Sequence, residues 1–387
     1  MNKRRVLVVG QTPPPYHGQA MMTQRLLDAS FEKLTQYHVR MAFSKSVSSV
    51  GTFELGKLFH MVAIVIKIIF QRFRHGIDTL YYMPAGPNMT PVLRDIFILT
   101  FTRPLFKRTV FHFRAAGLSE FIATRRGLIK RLAYWVYHSP DVAIHLSARN
   151  PDDGGYFEAR QTVVVPNGLE DAARPYLPVQ RSARTPVRIL FVGVLCESKG
   201  VLTLLQAVSI LHQAQAPVRV DVMGEFISSA FQEEVLTYCQ AHGLQDIVTF
   251  PGVKQGDEKW QYFREADIFC FPSHYESESF GNVAVEAMMF SLPVVATQWR
   301  GIPDIVEDGK TGWLVPIKDP EVTANALQHL IREPDQRHAL GAAGRAKYEA
   351  QYQLSTFVAT MEDVLVMAHQ PAPAKTSLTE PAESQRS

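Results

Sequence analysis

The sequence predicts an α/β protein made of two doubly wound, parallel-sheet domains. Three observations carry this. Short apolar runs of strand character alternate with helical patterns along both halves of the chain, as βαβ units do. The alternation pauses in a stretch rich in Ala, Arg and Pro (169–186) and restarts at Val187–Gly193, VRILFVG. A length of 387 residues exceeds one ordinary core and suits two. The expected division is 1–180 for the first domain and 187–350 for the second. A helix at 351–369 returns to the first domain, and a disordered tail rich in Pro, Ser, Thr and Glu fills 370–387.

Charge separates the halves. Residues 1–180 hold 23 Lys/Arg against 12 Asp/Glu, a net of +11, while the remainder nets −8. A basic half-protein points to an anionic surface or ligand. Cys196, Cys239 and Cys270 are scattered, odd in number and without metal spacing, so buried thiols in a reducing compartment are expected and no metal site. The basic start Met1–Arg5 is followed by an apolar run, Val6–Val9, too short for a secretory signal core, so a cytoplasmic chain is expected.

In the first half, Arg5–Gly10 reads as a buried strand, followed by a proline-rich loop and a helical pattern from Ala20 to Leu27. Strand, glycine-containing loop and helix N-terminus make a place for an anion, and Gly18 allows close backbone approach. The spaced glycines of a dinucleotide fingerprint are missing. Leu55–Phe73 is long and apolar, but Lys57, His60 and Lys67 interrupt it. A spanning helix needs about 20 largely uncharged residues. The expected element is a helix lying partly in a membrane surface, with Lys67, Arg72 and Arg74 near anionic headgroups. The segments 99–108 and 125–135 repeat the mixture of apolar and basic residues. Strands are expected at Thr79–Met83, Thr109–Phe113, Asp141–Leu146 and Thr162–Val165. His112 and Arg114 then stand at a strand's C-terminal end, where open α/β sheets bind ligands.

In the second half, Val187–Gly193 leads through Cys196–Gly200 to a helix at Val201–Gln213. Lys199 stands just before that helix, where it can meet a diphosphate. Strands are expected at Val218–Gly224, Ile247–Pro251, Asp267–Phe271, Pro293–Thr297 and Thr311–Val315, with a helix around Trp260–Glu265. From Pro320 the chain reads as helical to about His369, broken near Glu333-Pro334. The most informative stretch is SHYESESFGNVAVEA (273–287). Pro272 stops a buried strand, Ser279-Phe280-Gly281 turns, and a helix begins near Asn282. Its free N–H groups, including those near Asn282 and Val283, suit a phosphate. Glu278 and Glu286 bracket that site, and carboxylates there are suited to accept hydrogen bonds from hydroxyls such as those of sugars.

These residues resemble the family-4 retaining glycosyltransferases of the GT-B fold. The resemblance rests on Glu278 and Glu286 separated by seven residues, and on VGVLCESKG (192–200), Pro293–Thr297 and GIPDIVEDGKTGWLV (301–315). The first half is similar more weakly, through Pro13–Gly18, His112 and VVVPNGLED (163–171). The opening loop resembles enzymes of bacterial exopolysaccharide and lipopolysaccharide assembly.

The resemblance implies transfer of a sugar from a nucleoside diphosphate donor, without a cofactor, to a lipid-linked or polysaccharide acceptor. It implies that Glu278 holds donor-sugar hydroxyls and Glu286 the ribose. Lys199 with the N–H groups of Asn282 and Val283 would bind the diphosphate, and Gly18 would close on it. His112 would sit near sugar and acceptor. The base would rest against Gly224, Glu225 and residues around Gly252–Lys254, Val253 among them; Gly193 would also belong to the nucleotide-sugar site, with Phe280 and Gly281 in the donor-binding turn. Catalytic weight would fall on Glu278, His112 and Lys199. Membrane-face location on the cytoplasmic side and the absence of a nucleic-acid partner follow as expectations. One position departs from the family pattern: Val194 stands where an Arg often pairs with the Lys, so Arg114 and Arg300 are candidate replacements. That departure leaves a non-catalytic sugar-nucleotide sensor or scaffold of a glycan assembly complex as the alternative; a same-fold sugar-nucleotide epimerase is a lesser one, against which the paired Glu278 and Glu286 argue.

Overall fold

The computed structural model describes residues 3–14, 18–41, 55–177 and 185–369. The expected tail, the middle of the linker and residues 15–17 of the first loop lie outside the described residues. In the first half the elements run β1 (Arg4–Gly10), α1 (Gly18–Asp28), β2 (Leu34–Arg40), α2 (Leu55–Arg74), β3 (Thr79–Tyr82) and α3 (Met89–Thr102). They continue with β4 (Arg108–Phe113), α4 (Leu118–Ala123), α5 (Gly127–Tyr137), β5 (Val142–His145), α6 (Asp153–Tyr156) and β6 (Thr162–Val164). The second half holds β7 (Val187–Val192), α7 (Val201–Gln213), β8 (Val218–Met223), α8 (Ser229–Ala241), β9 (Val248–Thr249), α9 (Gly256–Glu265) and β10 (Ile268–Phe271). It ends with α10 (Asn282–Met289), β11 (Val294–Thr297), α11 (Ile302–Ile305), β12 (Gly312–Val315), α12 (Pro320–Arg332), α13 (Pro334–Gln351) and α14 (Leu354–Met367).

Two parallel six-stranded sheets result, ordered β2-β1-β3-β4-β5-β6 and β12-β11-β10-β7-β8-β9. The buried stretches of their central strands are mostly apolar because helices cover both faces: Val6 to Val9 of β1 and all of β10 are buried. Strand order reverses between β1 and β3 in the first sheet and between β7 and β10 in the second. Such reversals open a crevice at the strands' C-terminal ends. The two crevices face each other, since loops leaving β4 and β5 touch loops leaving β10 and β11.

Several expectations shift. β2 and α8 were not anticipated. β2 (LTQYHVR) is half-buried at a sheet edge, so it shows no clean alternation. β9 shrinks to two residues. The C-terminal run breaks twice, not once. At the second break the Leu169 N–H donates to the Tyr352 carbonyl (2.8 Å) and the Leu354 N–H to the Leu169 carbonyl (3.0 Å). Those bonds draw the chain out of helix and back toward the first half. There α14 docks: the Lys33 N–H donates to Glu362 (2.6 Å), and His369 meets the Thr79 hydroxyl (2.9 Å).

α2 buries Ile64, Val65 and Ile68 against the first sheet. Its outer face exposes Phe59, Val62, Ile66, Phe70 and Phe73, spaced three and four apart in one stripe. Leu93 and Phe101 on α3 and Leu128 and Trp135 on α5 are exposed too. No helix of the described residues is long and apolar enough to cross a membrane. Lys67 and Arg74 are exposed, as a headgroup-binding role requires. Arg72 corrects that expectation: it is half-buried, donates Nε–H to the Leu105 carbonyl (2.8 Å) and packs on Phe73 and Phe106. Its work is to tie α2 to the loop before β4. The three cysteines are free and buried.

Candidate functional site

The site is built around the start of α10. Pro272 ends β10, and Gly281 precedes the helix at φ +88°, a left-handed backbone that glycine adopts without strain. No side chain caps α10, so its first N–H groups are free to face a ligand. Lys199 closes a short 3-10 turn before α7. The adjacent Gly200 also has positive φ (+78°), and a Cβ there would stand 2.1 Å from the Pro272 carbonyl oxygen. That close approach presses the Lys199 turn against the entrance to the α10 segment.

Lys199 and Glu278 meet at 2.5 Å, both mostly buried. Glu278 Oε2 also accepts the Ser273 hydroxyl at 2.8 Å. Tyr275 lies under the lysine, its ring centroid 4.6 Å from Nζ. Glu286 is engaged by a residue the sequence reading did not single out: Lys259 Nζ donates to both of its oxygens at 2.7 Å. A carboxylate has about four acceptor directions, so hydroxyls can still bind beside the lysine. Nothing in the apolar spacing of α9 marks Lys259 as different from other surface lysines.

From the other side of the cleft, Gly18 opens α1 where a Cβ would lie 3.4 Å from the Asn282 amide nitrogen. The N-termini of α1 and α10 therefore converge. His112 is fully buried, and its Nδ1 meets the Tyr81 hydroxyl at 2.6 Å. Burial holds its pKa well below the ordinary value, with Arg114 and His145 adding to the shift. The ring is neutral at neutral pH, and its Nε2 is buried without a hydrogen-bond partner. Arg114 is buried and donates Nη1–H to Asn167 Oδ1 (2.9 Å). Asn167 in turn donates to Asn282 Oδ1 (2.9 Å), linking the first domain to the first residue of α10. Tyr81 and Asn167 were not anticipated as site residues.

The domains are joined by further bonds. Ser279 Oγ donates to the Arg114 carbonyl (2.6 Å), and Asn150 Nδ2 to the Ser279 carbonyl (2.8 Å). Asp304 accepts from Ser147 Oγ (2.5 Å) and the Ala148 N–H (2.8 Å). Arg300 is not an available cation, because a bidentate pair with Glu120 of the first domain occupies it (3.1 and 2.7 Å). Its role is to bridge the domains.

At the far end, Gly193, Gly224 and Gly252 stack at the ends of β7 to β9: Gly193 N–H donates to Met223 O (3.0 Å) and Gly224 N–H to Gly252 O (3.1 Å). Glu225 and Val253 are exposed beside them. Phe280 corrects another expectation. Its side chain is buried edge-on against Tyr352, 5.7 Å between centroids, and packs the core instead of lining a ligand. Val283 likewise packs inward, so it offers only its N–H. Among the described residues, no group of three His, Cys, Asp or Glu side chains is placed to hold a metal ion.

Residues 176–347 match the family "Glycosyl transferases group 1". The matched segment contains Lys199, Lys259, Glu278 and Glu286. An Escherichia coli protein whose name places it in colanic acid biosynthesis is 32% identical over 270 residues, covering 63% of each chain. An amylovoran biosynthesis glycosyltransferase of Erwinia amylovora is 31% identical over 46% of this chain and 44% of its own. The chain thus spans less than two thirds of these relatives. Among solved structures, an Anabaena protein in complex with UDP is similar with TM-score 0.69 at 16% identity, covering 94% of this chain and 99% of its own. Sucrose-phosphate synthase from Thermosynechococcus elongatus gives 0.71 at 19%, over 94% and 99%. The fold is GT-B: two doubly wound domains facing a cleft.

Proposed function

We propose that the chain is a retaining glycosyltransferase of family 4. It moves a sugar from a nucleoside diphosphate donor to a lipid-linked glycan during bacterial surface polysaccharide assembly. The observation that carries this reading is the uncapped start of α10 set between Lys199–Glu278 and Lys259–Glu286. The diphosphate sits in front of the helix, sugar hydroxyls bond to Glu278, and ribose hydroxyls bond to Glu286 beside Lys259. As the bond to the sugar breaks, negative charge grows on the departing diphosphate, and helix N–H groups with Lys199 stabilise it. The departing phosphate takes the acceptor's proton on the face it leaves, which retains configuration. His112 Nε2–H, fixed by the Tyr81 bond on Nδ1, donates to the sugar from the first domain.

Names of the relatives in colanic acid and amylovoran biosynthesis support the acceptor class, and the neighbour solved with UDP supports a uridine donor. The exposed apolar stripe of α2, flanked by Lys67 and Arg74, supports docking on the cytoplasmic face of the inner membrane, where lipid-linked acceptors are held. The test is transfer from a panel of labelled nucleotide sugars to lipid extracts of cells lacking the protein. Label moving into a lipid fraction with the anomeric configuration of the donor is the expected result. Binding of nucleotide sugars with no transfer to any extract would favour a non-catalytic scaffold.

A further inference from the structure

Among the described residues, three cations of this cleft are paired with carboxylates. Lys199 is paired with Glu278, Lys259 with Glu286 and Arg300 with Glu120. Arg114 differs. It is 93% buried, at 7% exposure; it donates to a neutral amide, Asn167, and lies beside the Tyr81 hydroxyl, and among the described residues no carboxylate pairs with it. Its Nε and Nη2 are buried with no hydrogen-bond partner. A buried guanidinium with two idle donors and no carboxylate is strongly unfavourable unless an anion completes it. The place for that anion is also defined. The Arg114 carbonyl is held by Ser279, and its guanidinium is joined through Asn167 to Asn282, first residue of α10. Gly18 brings the N-terminus of α1 to the same spot. Position 194, beside Gly193, carries Val and contributes no charge.

We infer that Arg114 is the second cation of the diphosphate site, reaching from the first domain to the phosphate oxygens in front of α10. This rests on the nucleotide-sugar reading above. A planar fork of N–H donors matches two oxygens of one phosphate, which a lysine cannot do. Because Arg114 belongs to the first domain, the diphosphate then bonds to both domains at once, and its departure removes a link across the cleft.

Calorimetric titration with UDP, GDP and ADP and the matching monophosphates tests this. Wild type, Arg114→Met, Arg114→Lys and Arg114→Met with Val194→Arg are compared, each checked for folding by circular dichroism. If wild type binds none of the three diphosphates, the nucleotide-sugar reading fails first, and the inference falls with it. If one binds, Arg114→Met is expected to weaken it about 10- to 100-fold. The matching monophosphate loses less, Arg114→Lys is intermediate, and Val194→Arg restores part of the loss. Val194 is 43% exposed, so a longer side chain is accommodated there without displacing the core. A folded Arg114→Met, or an Arg114→Lys should Met fail to fold, that binds the diphosphate as tightly as wild type overturns the inference.

Discussion

The proposed docking of the α2 stripe on a membrane can be put in numbers. Phe70 and Phe73 are 57% and 66% exposed, on the face turned away from the sheet. Burying a whole Phe side chain is worth about 1.5–3 kcal/mol, so the exposed parts contribute about 1–2 each and about 2–4 together. Changing both to Ser should weaken vesicle partitioning about 30- to 1,000-fold. Lys67 and Arg74 contribute about 1 kcal/mol each near an anionic leaflet. Their joint change to Gln should therefore cost about 30-fold at low ionic strength and little at high salt, where charges are screened. The assay is co-sedimentation with vesicles of phosphatidylglycerol and phosphatidylcholine across a salt series. The Phe pair should remove the salt-resistant fraction, and the charge pair the salt-sensitive one. Arg72→Gln should instead lower the melting temperature, since it breaks the bond to Leu105. Salt-resistant binding that survives Phe70→Ser with Phe73→Ser would refute the insertion of this face.

Lys259→Met should cost about 2–4 kcal/mol of stability in urea unfolding, because it leaves the mostly buried Glu286 carboxylate without its partner; an unchanged midpoint would show that the pair is solvent-screened. Tyr81→Phe should lower turnover about tenfold, since it frees the His112 ring, and should lower diphosphate affinity by less, because Tyr81 also neighbours Arg114. A loss confined to affinity would move Tyr81 out of that role. His112 also sets a pH dependence. Its folded pKa lies well below the unfolded value of about 6.5, so the unfolded chain gains a proton that the folded chain refuses. Its contribution is complete above about pH 6.5 and is lost as pH falls below it. His112→Asn should flatten the fall in stability between about pH 6.5 and about pH 5; an identical slope in both proteins would show that the ring charges in the folded state.

Much of the second half is legible in one dimension because its signals are local. An apolar run, a stopping proline, a glycine before a helix and two glutamates one helix-start apart all lie within twenty residues. The first domain shows less. β2 sits at an edge and is wetted on one side, so its polarity does not alternate. Lys259 meets Glu286 across 27 positions, Arg114 meets Asn167 across 53, and Arg300 meets Glu120 across 180. No periodicity encodes such pairings. That is why Arg114 and Arg300 look equivalent in the sequence, while the folded chain gives one a carboxylate and leaves the other with idle donors. Phe280 shows the converse: a residue beside functional ones in sequence points into the core.

The central claim is that the uncapped start of α10, between the two domains, receives a nucleoside diphosphate. A crystal structure of the chain with a bound nucleoside diphosphate tests it most directly. The account predicts phosphate density within hydrogen-bond reach of the Asn282 and Val283 N–H groups, with Lys199 on its oxygens and ribose hydroxyls at Glu286. Phosphate density elsewhere, with the α10 N-terminus facing only solvent, would contradict it.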